Sequence, residues 1–171
     1  ALGQQVSFKK DLGPDLKKID LKILNEAKKE AFLKKLNPVY ETIKETKTRL
    51  SASNKDIIGF VGAPWTLLLY MLNRKSPKGG NFNVFQKDKY VHDIMLKLDE
   101  FLKIHIEAQI KSGASIIQIF DSWAGLLPEK DLEYFVYEPI KSLVDFIRQK
   151  ESISICFPRN INNYKKFVTN V

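Results

Sequence analysis

The stretch Gly59-Phe60-Val61-Gly62-Ala63-Pro64-Trp65-Thr66-Leu67-Leu68-Leu69-Tyr70-Met71 decides the fold. An apolar run, Ile57 to Val61, ends in Gly62, and Pro64 opens a second apolar segment. Proline at a first helical position loses no intrahelical hydrogen bond and brings its φ already set. The expectation is a strand, a tight turn and a helix, with Tyr70 about two turns into that helix. Strand-to-helix turns at the carboxyl end of a parallel sheet are where α/β enzymes place their chemistry.

The same pattern recurs on either side. Val91, Ile94, Leu98, Phe101, Leu102 and Ile106 recur at helical spacing and predict a long helix from about 87 to 112, with Gly113 at a left-handed cap. Ser115 to Phe120 reads as a strand, apolar enough for a sheet covered on both faces. Pro128 opens a helix with Leu132, Phe135, Val136, Ile140, Leu143, Val144 and Ile147 as its buried stripe, and Pro139 is expected to kink it. Ser152 to Phe157 reads as a third strand, and a further helix starts at Asn162. Before the opening stretch, residues 1–20 read as irregular, 21–36 as helical, and Asn37-Pro38 as the start of a separate helix ending near Leu50. Residues 51–55 and 76–83 read as loops.

Short apolar strands alternating with helices predict an α/β protein, a parallel sheet with helices outside. Three strands cannot close a barrel. They can form a consecutive arc of an eight-stranded one, which takes about 250 residues. The chain opens on Ala1, not Met. We therefore expect residues 1–171 to be a single domain, the central part of a (β/α)8 barrel whose flanking strands lie outside this chain. An open doubly wound sheet is the alternative, but its glycine fingerprint is absent.

Composition bounds the function. The chain has 171 residues, 44% of them hydrophobic, enough for one real core. No apolar run approaches the roughly 20 residues of a membrane span, so no membrane is expected. The single Cys156 permits no internal disulfide, which fits a reducing compartment and a cytoplasmic location. The net charge is +8, but only four of the 28 basic residues are arginine. Pairs such as Lys28-Lys29, Lys34-Lys35 and Lys165-Lys166 fall on expected outer helix faces, and no RNA-binding aromatic signature or zinc-finger spacing appears. A solvated surface is expected, not a nucleic-acid partner; a basic binding module is the rival reading, and steep salt dependence of nucleic-acid binding marks it.

The strand ends nominate Gly62 to Trp65 with Tyr70, Phe120 to Trp123, and Phe157 to Asn160. Tyr70 is either a hydroxyl donor to a carboxylate or a packing aromatic among Leu67, Leu68, Leu69 and Met71. Ser122 is either a carboxylate donor or a turn cap. Asp121 is an acid or base, or a loop hydrogen-bonder, and Phe120 is a flat contact surface or core. His92 and His105, thirteen residues apart on one helix, fall on different faces and read as surface or packing residues. Cys156 reads as a buried strand residue. One Cys and two separated His build no metal site, and no phosphate loop exists.

The opening stretch resembles a signature of the uroporphyrinogen decarboxylase family, G-F-x-G-x-P-W-T-L-x-x-Y-M. Gln118-Ile119-Phe120-Asp121-Ser122-Trp123-Ala124-Gly125 resembles a second word of that family, and Ala108-Gln109-Ile110-Lys111-Ser112-Gly113-Ala114 a third. Ala1-Leu2-Gly3 is similar to the family's sequence just after its second barrel strand, and Ser152 to Pro158 to its fifth strand. The resemblance implies an enzyme, a carbon–carbon lyase of heme and tetrapyrrole biosynthesis. It removes carbon dioxide from the four acetate side chains of uroporphyrinogen III to give coproporphyrinogen III, with no metal and no organic cofactor. Loss of carbon dioxide leaves an electron pair, and protonation of the electron-rich pyrrole supplies its sink.

The resemblance further implies that Tyr70 and Ser122 bind substrate and that Phe120 lines the pocket. The family's arginine motif and central aspartate match nothing here and are expected before Ala1, its late histidine after Val171. No catalytic residue is therefore expected within this chain, and the segment alone is expected to be inactive. A homodimer is implied. Two departures stand out: Leu72-Asn73-Arg74-Lys75 where the family commonly has a glutamate and glycines, and Arg159-Asn160 where it has lysine-glycine. A cobalamin- or zinc-dependent methyltransferase of the same barrel superfamily is the alternative, though its His-x-Cys is absent here. A catalytically dead paralogue is a third reading.

Overall fold

The computed structural model describes residues 1–9, 13–77 and 87–171. Its centre is a three-stranded parallel sheet of β3 (Ile58–Gly62), β4 (Ile116–Asp121) and β5 (Ile153–Pro158), in the order β3-β4-β5. The register pairs Gly62 with Phe120, and Phe120 with Phe157. Strands that are neighbours in both sequence and space, each separated by helices, form an arc of a (β/α)8 barrel, as expected.

The helices pack on one face of this arc. α3 (Pro64–Asn73) follows β3 directly, with Pro64 at its start, Leu68 and Leu69 buried, and Arg74 in the left-handed conformation at its end. α4 (Lys89–Lys111) is capped by the Asp88 side chain on the Val91 N–H at 2.9 Å, and the expected stripe from Val91 to Ile106 is buried. Each such buried side chain stabilises the fold by about 1.5–3 kcal/mol. Gly113 sits beyond α4 at φ +116°, where a left-handed residue is required.

The segment after β4 departs from a simple kinked helix. α5 (Glu129–Leu132) passes into a π-helical turn over Glu133–Tyr137 and then into α6 (Glu138–Gln149). Pro139 has no N–H for the Phe135 carbonyl and its ring crowds that carbonyl, so the strain is taken up as a widened turn just before it. All seven residues of the expected stripe are buried, and Tyr137 with them.

Two expectations near the amino end are corrected. Residues 1–20 are not irregular throughout: β1 (Val6–Lys9) and β2 (Gly13–Leu16) pair as antiparallel strands. Nor does a helix begin at Asn37-Pro38. α1 (Leu21–Asn25) is short, and α2 runs unbroken from Lys29 to Arg49 through Pro38. Phe32 and Tyr40 face inward, whereas Lys34 and Pro38 are exposed, so the Lys34 carbonyl that lost its helical donor faces water. α7 (Tyr164–Asn170) closes the chain, with Asn163 as its cap. Ser76 and Pro77 lie in the expected loop; its residues 78–83 fall outside the described residues.

Within residues 1–171, among those described, only one face of the sheet is covered. Gly59, Val61, Ile117, Ile119, Asp121 and Pro158 lie on the helix side or at its margin, while Ile58, Phe60, Ile153, Ile155 and Phe157 are exposed on the other. That open side is the concave face of the arc. At the outer edge of β3, the buried amide of Gln109 accepts from the Phe60 N–H at 3.1 Å and donates to the Phe60 carbonyl at 3.2 Å. Gly59 makes room for it, since a Cβ there falls 2.6 Å from Gln109 Oε1.

Candidate functional site at the strand ends

The carboxyl ends of the three strands are tied to one another by backbone hydrogen bonds. The Ala63 N–H donates to the Phe120 carbonyl at 2.8 Å, the Arg159 N–H to the Asp121 carbonyl at 3.0 Å, and the Gly125 N–H to the Arg159 carbonyl at 3.0 Å. Gly125 is held so closely that an added Cβ collides with the carbonyl of Asn160. Asn160 itself takes φ +61°, a conformation asparagine tolerates better than most residues. These bonds carry the ladders one residue past the strands and fix the loops from which side chains reach the mouth.

Strand alternation then sorts the nominated residues by face. Phe120 is half-buried on the concave side, its ring 6.0 Å from that of Phe60 and 6.2 Å from that of Phe157, edge-on in both cases. The three rings form an aromatic row across all three strands. Ser122 follows Phe120 by two residues and is half-buried; its hydroxyl bonds no described residue, so it caps no turn. Tyr70 is half-buried on α3, its ring 6.4 Å from that of Trp123 and edge-on to it, and its hydroxyl has no hydrogen-bond partner among the described residues. A tyrosine used only for packing buries its ring beside Leu68 and Leu69; Tyr70 instead borders the loop that carries Ser122.

Asp121 points the other way. It is fully buried on the helix side, where Thr66 donates to its Oδ1 at 2.6 Å. Burial pushes its carboxyl up to about 7, against the opposing pull of Thr66 and of the Trp123 backbone N–H. It is thus the loop hydrogen-bonder of the two readings, joining α3 to β4. Trp65, also fully buried, donates its indole N–H to the Trp123 carbonyl at 2.9 Å and packs on Phe135 at 5.1 Å between ring centres. Trp65 and Thr66 are therefore structural supports of the mouth. The links of Thr66 to Asp121 and of Gln109 to Phe60 had little signal in the sequence: Thr66 is a polar residue inside the apolar α3, and Gln109 is one of many polar residues along α4.

The remaining candidates lie elsewhere. Cys156 is half-buried, not fully buried, and burial raises its thiol to about 11. His105 packs between helices, 3.0 Å from the Tyr40 hydroxyl and edge-on to Phe32, and burial lowers its pKa. His92 is exposed, 3.4 Å from the Tyr134 hydroxyl. Among the described residues no three His, Cys, Asp or Glu side chains come together as a metal site. No described helix is long and apolar enough to cross a membrane. The lysine pairs at 28–29, 34–35 and 165–166 are exposed, as a solvated surface requires. An apolar cavity of about 370 Å³ runs along the outer edge of β3, lined by Phe32, Phe60 and Leu98; it contains none of Tyr70, Phe120 and Ser122.

Comparison with known proteins agrees with this geometry. The chain is similar to the methyltransferase from Methanosarcina mazei, with a TM-score of 0.61 over 91% of this chain and 46% of that one; at 16% identity the likeness is one of fold. It is 39% identical to the uroporphyrinogen decarboxylase of Rickettsia bellii (strain RML369-C) over the whole of this chain and 52% of the relative. It is 35% identical to that of Campylobacter fetus subsp. fetus (strain 82-40) over 95% of this chain and 49% of the relative. The chain therefore spans about half the length of the curated relatives it matches. The family described as uroporphyrinogen decarboxylase (URO-D) matches residues 1–169, and with that match across nearly every residue the chain belongs to the uroporphyrinogen decarboxylase family.

Proposed function

We propose that the polypeptide carrying these residues decarboxylates the four acetate side chains of uroporphyrinogen to give coproporphyrinogen. One observation carries the reading: Phe120 lies on the concave face at the end of β4, Ser122 follows it by two residues, and the Tyr70 ring lies beside the loop that carries Ser122. An apolar floor below two hydroxyl donors suits a flexible ligand whose body is a ring of pyrroles and whose rim is carboxylates. The Tyr70 and Ser122 hydroxyls donate to those carboxylates, and Phe120 lies against the macrocycle. Holding the substrate in one pose contributes to rate by orientation, and fixed donors stabilise charge without reorganising. The electron pair released with carbon dioxide is taken up by a pyrrole protonated beforehand, giving an exocyclic methylene; a proton added to that carbon makes the methyl group, and the ring gives up its extra proton.

The proton does not come from Asp121, which faces the helices. We therefore keep residues 1–171 as one domain, the central part of the barrel, and assign its catalytic groups to neither Asp121 nor any other residue here. The isolated segment is inactive on this proposal; measurable decarboxylation by the 171 residues alone overturns that part. The working protein is a cytoplasmic homodimer, to be checked by light scattering of the purified polypeptide and by cell fractionation. The deciding assay incubates the polypeptide with chemically reduced uroporphyrin under anaerobic conditions. Accumulation of the four-carboxylate product supports the reading, and an unchanged eight-carboxylate substrate refutes it. The Methanosarcina mazei likeness concerns fold only and does not favour methyl transfer.

A further inference from the structure

Arg159 departs from the family pattern, and its position in the sheet is defined. The ladder between β4 and β5 pairs Phe120 with Phe157 and Asp121 with Pro158. The Arg159 N–H then donates to the Asp121 carbonyl, one bond past the strands, so Ser122 and Arg159 are the residues that follow the last pair on the two neighbouring strands. Paired residues of adjacent strands sit about 4.8 Å apart. Alternation puts Arg159 two residues past Phe157, on the concave face, as Ser122 is two past Phe120. A hydroxyl-bearing and a guanidinium-bearing residue thus each follow, by two residues, one of two paired aromatic residues on neighbouring strands.

The Arg159 side chain is exposed and bonds no carboxylate among the described residues. Two other arginines do: Arg49 is 2.6 Å from Glu45, and Arg148 is 2.8 Å from Asp145. The Arg159 backbone is nonetheless held on both sides, by its own N–H on Asp121 and by the Gly125 N–H on its carbonyl. A fixed backbone under an uncommitted guanidinium is a prepared anion site. The guanidinium presents a planar fork that matches the two oxygens of a carboxylate, which a lysine ammonium does not.

We infer that Arg159 and Ser122 together form a carboxylate-binding subsite at the mouth, and that Arg159 sets affinity for the polycarboxylate rim of the ligand. The inference rests on the proposed tetrapyrrole reading of the site. The test uses the whole polypeptide in wild-type form and as Arg159→Gln, Arg159→Lys and, as a control on an already paired cation, Arg148→Gln. Binding of uroporphyrin is followed by fluorescence quenching, and KM and kcat are measured with uroporphyrinogen.

Arg159→Gln is expected to weaken uroporphyrin binding and raise KM by roughly tenfold or more, the size of a lost charge-assisted hydrogen bond. kcat and Tm are expected to stay near wild type, and Arg159→Lys to fall between. Arg148→Gln is expected to change nothing. Unchanged binding and KM in Arg159→Gln, at unchanged Tm, overturns the subsite while the decarboxylase reading stands. Arg159-dependent uroporphyrin binding without decarboxylation keeps the subsite and overturns the reading of activity. A wild-type polypeptide that binds no uroporphyrin overturns both.

Discussion

Trp65 and Trp123 are 58 residues apart in the chain, yet the indole N–H of one donates to the backbone carbonyl of the other at 2.9 Å. The bond joins the first turn of α3 to the loop that carries Ser122. Trp65→Phe keeps an aromatic ring against Phe135 but leaves the Trp123 carbonyl without this donor. The Trp123 carbonyl keeps the Leu126 N–H at 3.1 Å, so the expected loss of stability is about 2 kcal/mol, that of one buried hydrogen bond plus a small cavity. Urea unfolding of wild type and variant measures it directly.

Asp121 makes a prediction in pH. Its folded pKa of about 7 lies above the ordinary carboxyl value of 3.8. Between those values the folded state keeps a proton that the unfolded chain has lost. Its contribution to stability is therefore largest below about pH 4 and falls as pH rises towards 7, by at most about 1.4 kcal/mol per pH unit. Above that window both states are ionised and the contribution is flat. Asp121→Asn keeps an acceptor for Thr66 and removes the titration. Its unfolding free energy, relative to wild type, should rise between pH 4.5 and 7; parallel curves would count against a raised carboxyl.

Tyr70→Phe removes one hydroxyl and keeps the ring beside Trp123. In the whole polypeptide, turnover or substrate affinity should fall roughly tenfold, with Tm within about a degree of wild type because the hydroxyl bonds no described residue. Kinetics equal to wild type would make Tyr70 a packing residue after all.

Gly125→Ala tests the lacing of the strand ends. The added methyl meets the Asn160 carbonyl, which belongs to backbone and yields little. Overpacking of this kind costs about 1–3 kcal/mol. If the loops serve to hold the mouth, KM should rise in the same variant. A stable Gly125→Ala with unaltered KM would show that the loop relaxes freely.

Much of this was legible in the residue pattern, and the exceptions have physical causes. The β3–α3 turn, the α4 stripe and the α6 stripe followed from periodicity, because burial on one helix face repeats along the chain. Pro38 misled because proline propensity is local, whereas its tolerance depends on which side of α2 it occupies. The antiparallel pairing of residues 6–9 with 13–16 was not legible because Gly13 and Pro14 read as breakers although they pair in it. For the site, strand ends and family words nominated Tyr70, Phe120 and Ser122. The direction Asp121 faces could not be read until the register was known. Arg159 was visible as a departure, but its neighbour Ser122 emerges only when β4 and β5 are laid side by side.

The amide of Gln109 makes the two borders of the sheet unequal. At β3 it occupies both outward groups of Phe60, as a paired residue of another strand does. An extended segment arriving there has to evict the amide or match hydrogen bonds around it. Along β5 no described side chain performs this service for Ser154 or Cys156. In the closed barrel of which this arc is read as a part, both borders meet a neighbouring strand, so the strand that pairs with β3 has to displace the Gln109 amide or build its ladder around it, whereas the strand that pairs with β5 meets no such side chain.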